Sequence, residues 1–284
     1  MFPLLGLLGL ALAGSALVDA SWWTEENEDA LDQTTDTNET IAPTSPTIEG
    51  DDAADELYGG IGSDEISGQG GDDYIDGRQG DDTLYGGAGA DELHGHDGDD
   101  AIWGGAEDDT LFGSLGDDML DGGDGNDQLA GGAGEDMLSG GAGADSLLGG
   151  FGNDVLIGSA GEDVLHGGNE DDLVDGHSGE EIAARDFLNG GSGSDHIIGG
   201  PGDVFDGGSG ADTFEVMGAD VTIMDYNPAE DRLILHTDGP DTVLTSALTE
   251  DGVIVMADGE AMALLRGLSA LDLSTIEVQP ADQG

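Results

Sequence analysis

The chain has 284 residues, with 64 acidic side chains against 4 basic ones, a formal net charge of -60, 54 glycines and no cysteine. So acidic a chain is excluded in practice from holding nucleic-acid phosphates, which need clustered Lys and Arg, and without cysteine it has neither disulfides nor thiolate metal sites. Glycine is abundant and aromatic residues make up only 5%, so apolar burial alone does not offset the chain entropy, and a compact fold needs a source of positive charge.

Residues 1–18, MFPLLGLLGLALAGSALV, form the strongly apolar run of the chain, and no Lys or Arg occurs before Arg78. The basic start of a secretory leader is missing. Val18-Asp19-Ala20 before Ser21 nevertheless offers a small-residue cleavage site, and Trp22 with Trp23 suits a membrane interface. Residues 1–20 therefore read as a signal-like or membrane-anchor segment, cleaved or retained. Residues 21–49 are rich in Thr, Glu, Asp and Asn, contain Pro43 and Pro46, and follow neither helical nor strand periodicity. They read as a disordered acidic linker.

From residue 50 a fixed period dominates. Fourteen glycines stand nine residues apart, from Gly59 to Gly176, each opening a unit of the form G-G-x-G-x-D-x-U-x with U bulky and apolar. Gly86–His94, Gly122–Ala130 and Gly149–Ile157 match every fixed position. The sixth position is Asp64, Asp73, Asp82, Asp91, Asp100, Asp109, Asp118, Asp127, Asp136, Asp145, Asp154, Asp163 and Asp172 in turn, and the eighth runs from Ile66 and Ile75 to Leu165 and Val174. A unit lengthened by five residues ends with Asp186, Phe187, Leu188 and Asn189. A regular unit with Asp195, a shortened one with Asp203 and a regular one with Asp212 come next, which makes seventeen units. Gly50–Tyr58, with Asp55 and Leu57, is an atypical terminal repeat.

One unit predicts a three-residue strand, x-U-x, with U inward, and a six-residue turn in which glycines supply positive φ. Two units make a turn of the coil, so the array predicts about eight turns of stacked parallel strands. Stacking puts Asp64 beside Asp82 and Asp73 beside Asp91, where bare carboxylates repel. A cation between them is required, and oxygen-only ligands point to a hard ion taking six or more donors, Ca²⁺ before Mg²⁺ or Zn²⁺. Acidic residues at the fifth position, such as Asp72, Asp81 and Asp99, are irregular, with Ala90 and Ala144 in the same place. They read as outer charge rather than ligands. Glu107 and Glu170 replace the fourth-position glycine, at a cost of about 1 kcal/mol if the turn needs a left-handed residue.

Beyond residue 216 longer alternating strands are predicted at 221–224, 232–235, 243–248, 253–257, 261–265 and 276–278, separated by turn signals such as Asn227-Pro228 and Asp258-Gly259. The Asp258-Gly259 pair predicts a hairpin. This stretch, 216–284, reads as a β-rich cap over the last open turn. No H-E-x-x-H, G-x-S-x-G or P-loop pattern is present, the chain having no lysine at all. His94, His96, His166, His177, His196 and His236 fall at unrelated positions and read as surface residues.

The nonapeptides of residues 50–215 resemble the hemolysin-type calcium-binding repeat, or RTX repeat. The segment Ile223–Leu235, IMDYNPAEDRLIL, is similar to the stretch just after the repeats in many such proteins. The resemblance implies an all-β fold: a right-handed parallel β-roll with the C-terminal cap and the N-terminal apolar segment outside it. It also implies multiple Ca²⁺ ions between successive turns, held by the sixth-position aspartates named above together with Asp186, Asp195, Asp203 and Asp212. It further implies export through type I secretion machinery, with a possible signal in 216–284 and folding on meeting extracellular calcium. The expected function is calcium binding by a secreted or surface-anchored structural or adhesive protein without enzymatic activity, in contact with a membrane, if at all, through residues 1–18. The alternative is an accessory module of a secreted hydrolase or toxin system.

Overall fold

The structure, a computed structural model, describes residues 47–178, 184–237, 239 and 242–280. The apolar segment 1–20 and most of the stretch 21–49 lie outside the described residues. Strands alternate between two sheets: odd-numbered strands in chain order make a 12-stranded sheet and even-numbered ones most of a 13-stranded sheet. Through the repeats, neighbours within each sheet are parallel and offset by one full turn, as in Ile66 opposite Leu84 and Ile75 opposite Leu93. Among the described residues the regular structure is strand, apart from one 3₁₀ turn at Leu273–Thr275. The fold is thus an all-β parallel solenoid.

The eighth-position column supplies the core. Ile66, Ile75, Leu84, Leu93, Ile102 and Leu111 are fully buried, and the column continues so to Val174. One branched side chain per unit, alternately from each sheet, fills the space between them, as period-two alternation along a strand requires.

Three expectations need correction. The strands of the repeats are six residues long rather than three, as in Thr83–Ala88 and Glu92–Asp97, because the glycine pair continues the ladder, Gly87 lying opposite Gln69 and Gly105. The second glycine of the pair needs positive φ, 118° at Gly87. Gln69, Arg78, His96, Ser114 and Ser159 adopt 73–90° at the same position, each paired in the ladder with a neighbouring turn. The stacking also runs further than about eight strands per sheet. At one end Thr47–Glu49, inside the stretch read as linker, pairs with Glu65–Ser67. At the other, Val221–Ile223 and Arg232–Thr237 extend the two sheets in parallel. Glu260–Arg266 and Glu277–Pro280 add a further strand to each. The sheets therefore continue unbroken past residue 216, and among the described residues Gly252–Ala257 pairs antiparallel with both Glu260–Arg266 and Leu244–Leu248, closing one sheet. The predicted hairpin stands at Asp258-Gly259, with φ of 52° and 91°.

The irregular units do not disturb the ladder. Phe187 pairs with Val164 and Val204 with Phe187, so the lengthened and the shortened unit both return to register.

Candidate metal centre

Every sixth-position aspartate is buried, from Asp64 at 5% exposure to Asp163, Asp186 and Asp203 at 0%. They form two columns, one at each edge between the sheets. In both, a backbone N–H donates to the Oδ1 of the aspartate one turn on: Asp64 N to Asp82 Oδ1 at 2.7 Å, Asp73 N to Asp91 Oδ1 at 2.8 Å, Asp127 N to Asp145 Oδ1 at 2.8 Å. The separation is 18 residues in regular units, 23 across the lengthened one (Asp163 to Asp186) and 17 across the shortened one (Asp186 to Asp203). One column runs from Asp55 through Asp203, the other from Asp64 through Asp212 and on to Asp231.

Oδ1 is thus fully used in holding turns together, and Oδ2 is not. The Oδ2 atoms of Asp73, Asp82, Asp91, Asp100, Asp109, Asp118, Asp127, Asp136, Asp145, Asp154, Asp172 and Asp195 are buried without a hydrogen-bond partner. The first glycine of each unit explains how they fit. A Cβ on Gly86 would overlap both Asp91 Oδ2 and the Gly104 carbonyl oxygen, and one on Gly122 would overlap Asp127 Oδ2 and the Gly140 carbonyl oxygen. Two kinds of oxygen, one anionic, crowd the space that glycine leaves, and no donor faces them.

The electrostatic consequence is large. Burial pushes the carboxyls of Asp82, Asp91, Asp118, Asp127 and Asp195 up to about 6, and those of Asp100, Asp109, Asp136, Asp145 and Asp172 up to about 7. The backbone N–H from the turn before opposes the shift, and neighbouring carboxylates reinforce it. An ionised carboxylate left buried without compensation costs several kcal/mol, against about 1.5–3 kcal/mol from the one Leu or Ile that the unit buries. The columns cannot be both ionised and bare in a stable fold. Among the described residues no group of three or more His, Cys, Asp or Glu side chains is arranged to hold a metal ion by itself. The available donor set is instead carboxylate plus glycine carbonyl, hard oxygen throughout, which suits calcium.

Residues 49–84, 76–111, 85–120, 112–147, 121–156, 148–180 and 183–214 match the model of the RTX calcium-binding nonapeptide repeat, together covering more than half of the chain. The chain belongs to the RTX repeat family. Calcium is the ion that RTX repeats bind, and the orphaned oxygens of this β-roll fit it. None of the curated proteins matches the chain.

Some members of the site escaped the nonapeptide reading. Asp231 closes its column although no glycine unit surrounds it. Its Oδ1 accepts from Asp212 N at 3.1 Å, and the signal was only the register of Arg232 opposite Thr213. Asp225 accepts from Gly207 N and Gly208 N at 2.9 and 2.7 Å, and beside it burial and a hydrogen bond to Asp225 raise the Asp206 carboxyl. The fifth-position residues also do more than carry charge. Asp81 Oδ1 accepts from Asp99 N, Asp99 Oδ1 from Asp117 N, and Asp117 Oδ1 from Glu135 N. These exposed bonds run in the opposite sense to the buried ones, so each loop of an RTX turn is stapled to its neighbours on two sides. Glu107 and Glu170 do take the left-handed conformation, φ 81° and 72°. His196 and His236 both contact Glu215, at 2.8 and 2.6 Å, on the outer face of one sheet and away from the columns.

Proposed function

We propose that the protein is a secreted or surface-attached structural protein whose roll becomes ordered as calcium binds along both aspartate columns. The observation that carries this reading is the row of buried Oδ2 atoms without partners, repeated turn after turn beside the glycine carbonyls. The ligands are the Oδ2 atoms of the interior rungs from Asp73 to Asp195, with Asp163, Asp186 and Asp212 in the same columns. Calcium, when bound, supplies the positive charge that 4 basic residues cannot supply against 64 acidic ones. Since Oδ1 already links each turn to the one before, every occupied rung ties ion binding to stacking, and site formation and folding become one event.

Because calcium is scarce in cytosol and abundant outside cells, such a chain stays unfolded until export, which fits one-step secretion of an extended polypeptide. Residues 1–18 serve as a leader or a membrane contact, and the residues after them as a tether. The sequence carries no hydrolase or nucleotide-binding motif of the H-E-x-x-H, G-x-S-x-G or P-loop kind, which supports a structural or adhesive role over an enzymatic one.

Circular dichroism of the full chain during calcium titration tests the central claim. The expected result is a cooperative rise of β signal, with Mg²⁺ a poor substitute because it demands tight octahedral geometry and gives up water reluctantly. A protein that keeps its whole β signal in excess chelator at neutral pH refutes it. Detecting the intact N-terminus in medium or membrane fractions tests the location.

A further inference from the structure

Each column begins and ends on an aspartate whose second oxygen is already satisfied by its own loop. At the start, Asp55 Oδ2 accepts from Asp51 N at 2.8 Å and Asp64 Oδ2 from Gly60 N at 2.7 Å. At the finish, Asp203 Oδ2 accepts from Gly200 N and Asp231 Oδ2 from Asn227 N, both at 2.6 Å. Between these limits lie the orphaned oxygens.

The cause is visible in the ladder. Asp51, Gly60, Gly200 and Asn227 all stand outside any strand. In interior units the residue equivalent to Gly60 is inside a strand, Gly87 being paired beside Gln69 and Gly123 beside Gly105. At these four ends the residue lies outside the ladder and its N–H closes the loop. An N–H aimed at Oδ2 supplies the positive end of a dipole, removes the desolvation penalty that an ion would otherwise remove, and stands in the path by which a cation would approach.

We propose that the ion array stops one rung short at each end of each column, so that the loops of Asp55, Asp64, Asp203 and Asp231 are closed by their own backbone and hold no calcium. This inference rests on the calcium reading of the interior rungs. It withdraws Asp64 and Asp203 from the ligand set that the repeat pattern implies, and it makes the ends of the roll metal-independent lids.

Two experiments on the full chain decide it. Calcium bound per molecule, measured by equilibrium dialysis, is expected to be unchanged in Asp64→Asn, Asp203→Asn and Asp231→Asn, and to fall by about one ion in Asp127→Asn, as loss of one anionic ligand from one site implies. The same loss in Asp203→Asn as in Asp127→Asn overturns the inference. No calcium bound to the wild-type protein overturns the calcium reading itself, which is a different result. Calcium anomalous scattering from crystals of the loaded wild-type protein needs no variant to fold. Peaks are expected beside Asp109 and Asp136 and none beside the four end carboxylates; a peak coordinated by Oδ2 of Asp64 or Asp203 overturns the inference.

Discussion

From Asp64 to Asp212 each repeat strand sends one apolar side chain inward, whereas the strands beyond it send two or more: Phe214 with Val216, Val221 with Ile223, Leu233 with Leu235, Val253 with Val255. The second region also packs rings, Phe214 stacking at 6.2 Å on Phe205 of the adjoining repeat and Tyr226 standing edge-on to Phe214 at 6.0 Å. Both regions share the same two sheets, yet they cohere differently. Where glycine opens every unit and fills the second position of most, hydrocarbon is too thin to carry the fold and charge neutralisation takes over. Where the glycine columns end, ordinary burial suffices.

The largest effect that separates the two is chelation. Hydrogen exchange on the full chain after calcium removal is expected to show loss of protection across 73–195 at chelator levels that leave residues 252–265 protected. Simultaneous loss in both stretches breaks the contrast. Next in size, Phe214→Ala is expected to cost about 3–5 kcal/mol through the cavity it leaves, read as a lowered melting temperature in saturating calcium. Leu120→Ala in the roll should cost less, about 2–3 kcal/mol, the lower part of the range for such truncations.

Acidity acts in opposite directions with and without the ion. The folded-state carboxyls of Asp100, Asp109, Asp136, Asp145 and Asp172 lie near 7, raised by burial from a usual 3.8. The metal-free folded state therefore binds more protons than the unfolded chain between about pH 4 and 7. Its stability contribution is full below that window and is lost as pH rises through it. In chelator, β signal should grow as pH is lowered from 8 to 5. In calcium, protons compete for the same oxygens, so the calcium midpoint should move to higher concentration over the same range. Smallest of all, Glu107→Gly should raise the melting temperature slightly, since it relieves a left-handed non-glycine residue worth about 1 kcal/mol.

The nine-residue phase made the architecture legible because it encodes register directly. Residues 18 apart face each other, so the inward column and both aspartate columns could be written down from spacing alone. Strand length was not legible, because glycine reads as a turn signal whether or not a neighbouring strand pairs with it. Gly87 is both left-handed and part of a ladder. Asp231 was hidden by its surroundings, Pro228 to Glu230 bearing no likeness to a glycine turn, and only the paired strand after it places it in the column. The staples made by Asp81, Asp99 and Asp117 were missed because alanine serves at the same position, as Ala90 and Ala144 do by donating N–H without accepting.

The unit that begins at Gly176 carries one more lesson. Asp186 meets Asp163 across 23 residues with the same 2.8 Å bond that spans 18 elsewhere. Inter-turn bonding, then, tolerates slack in the connecting chain and takes its spacing from the neighbour already in place. Extra peptide spliced in there, an epitope or a small guest domain, should be carried as cargo while the windings on either side keep step.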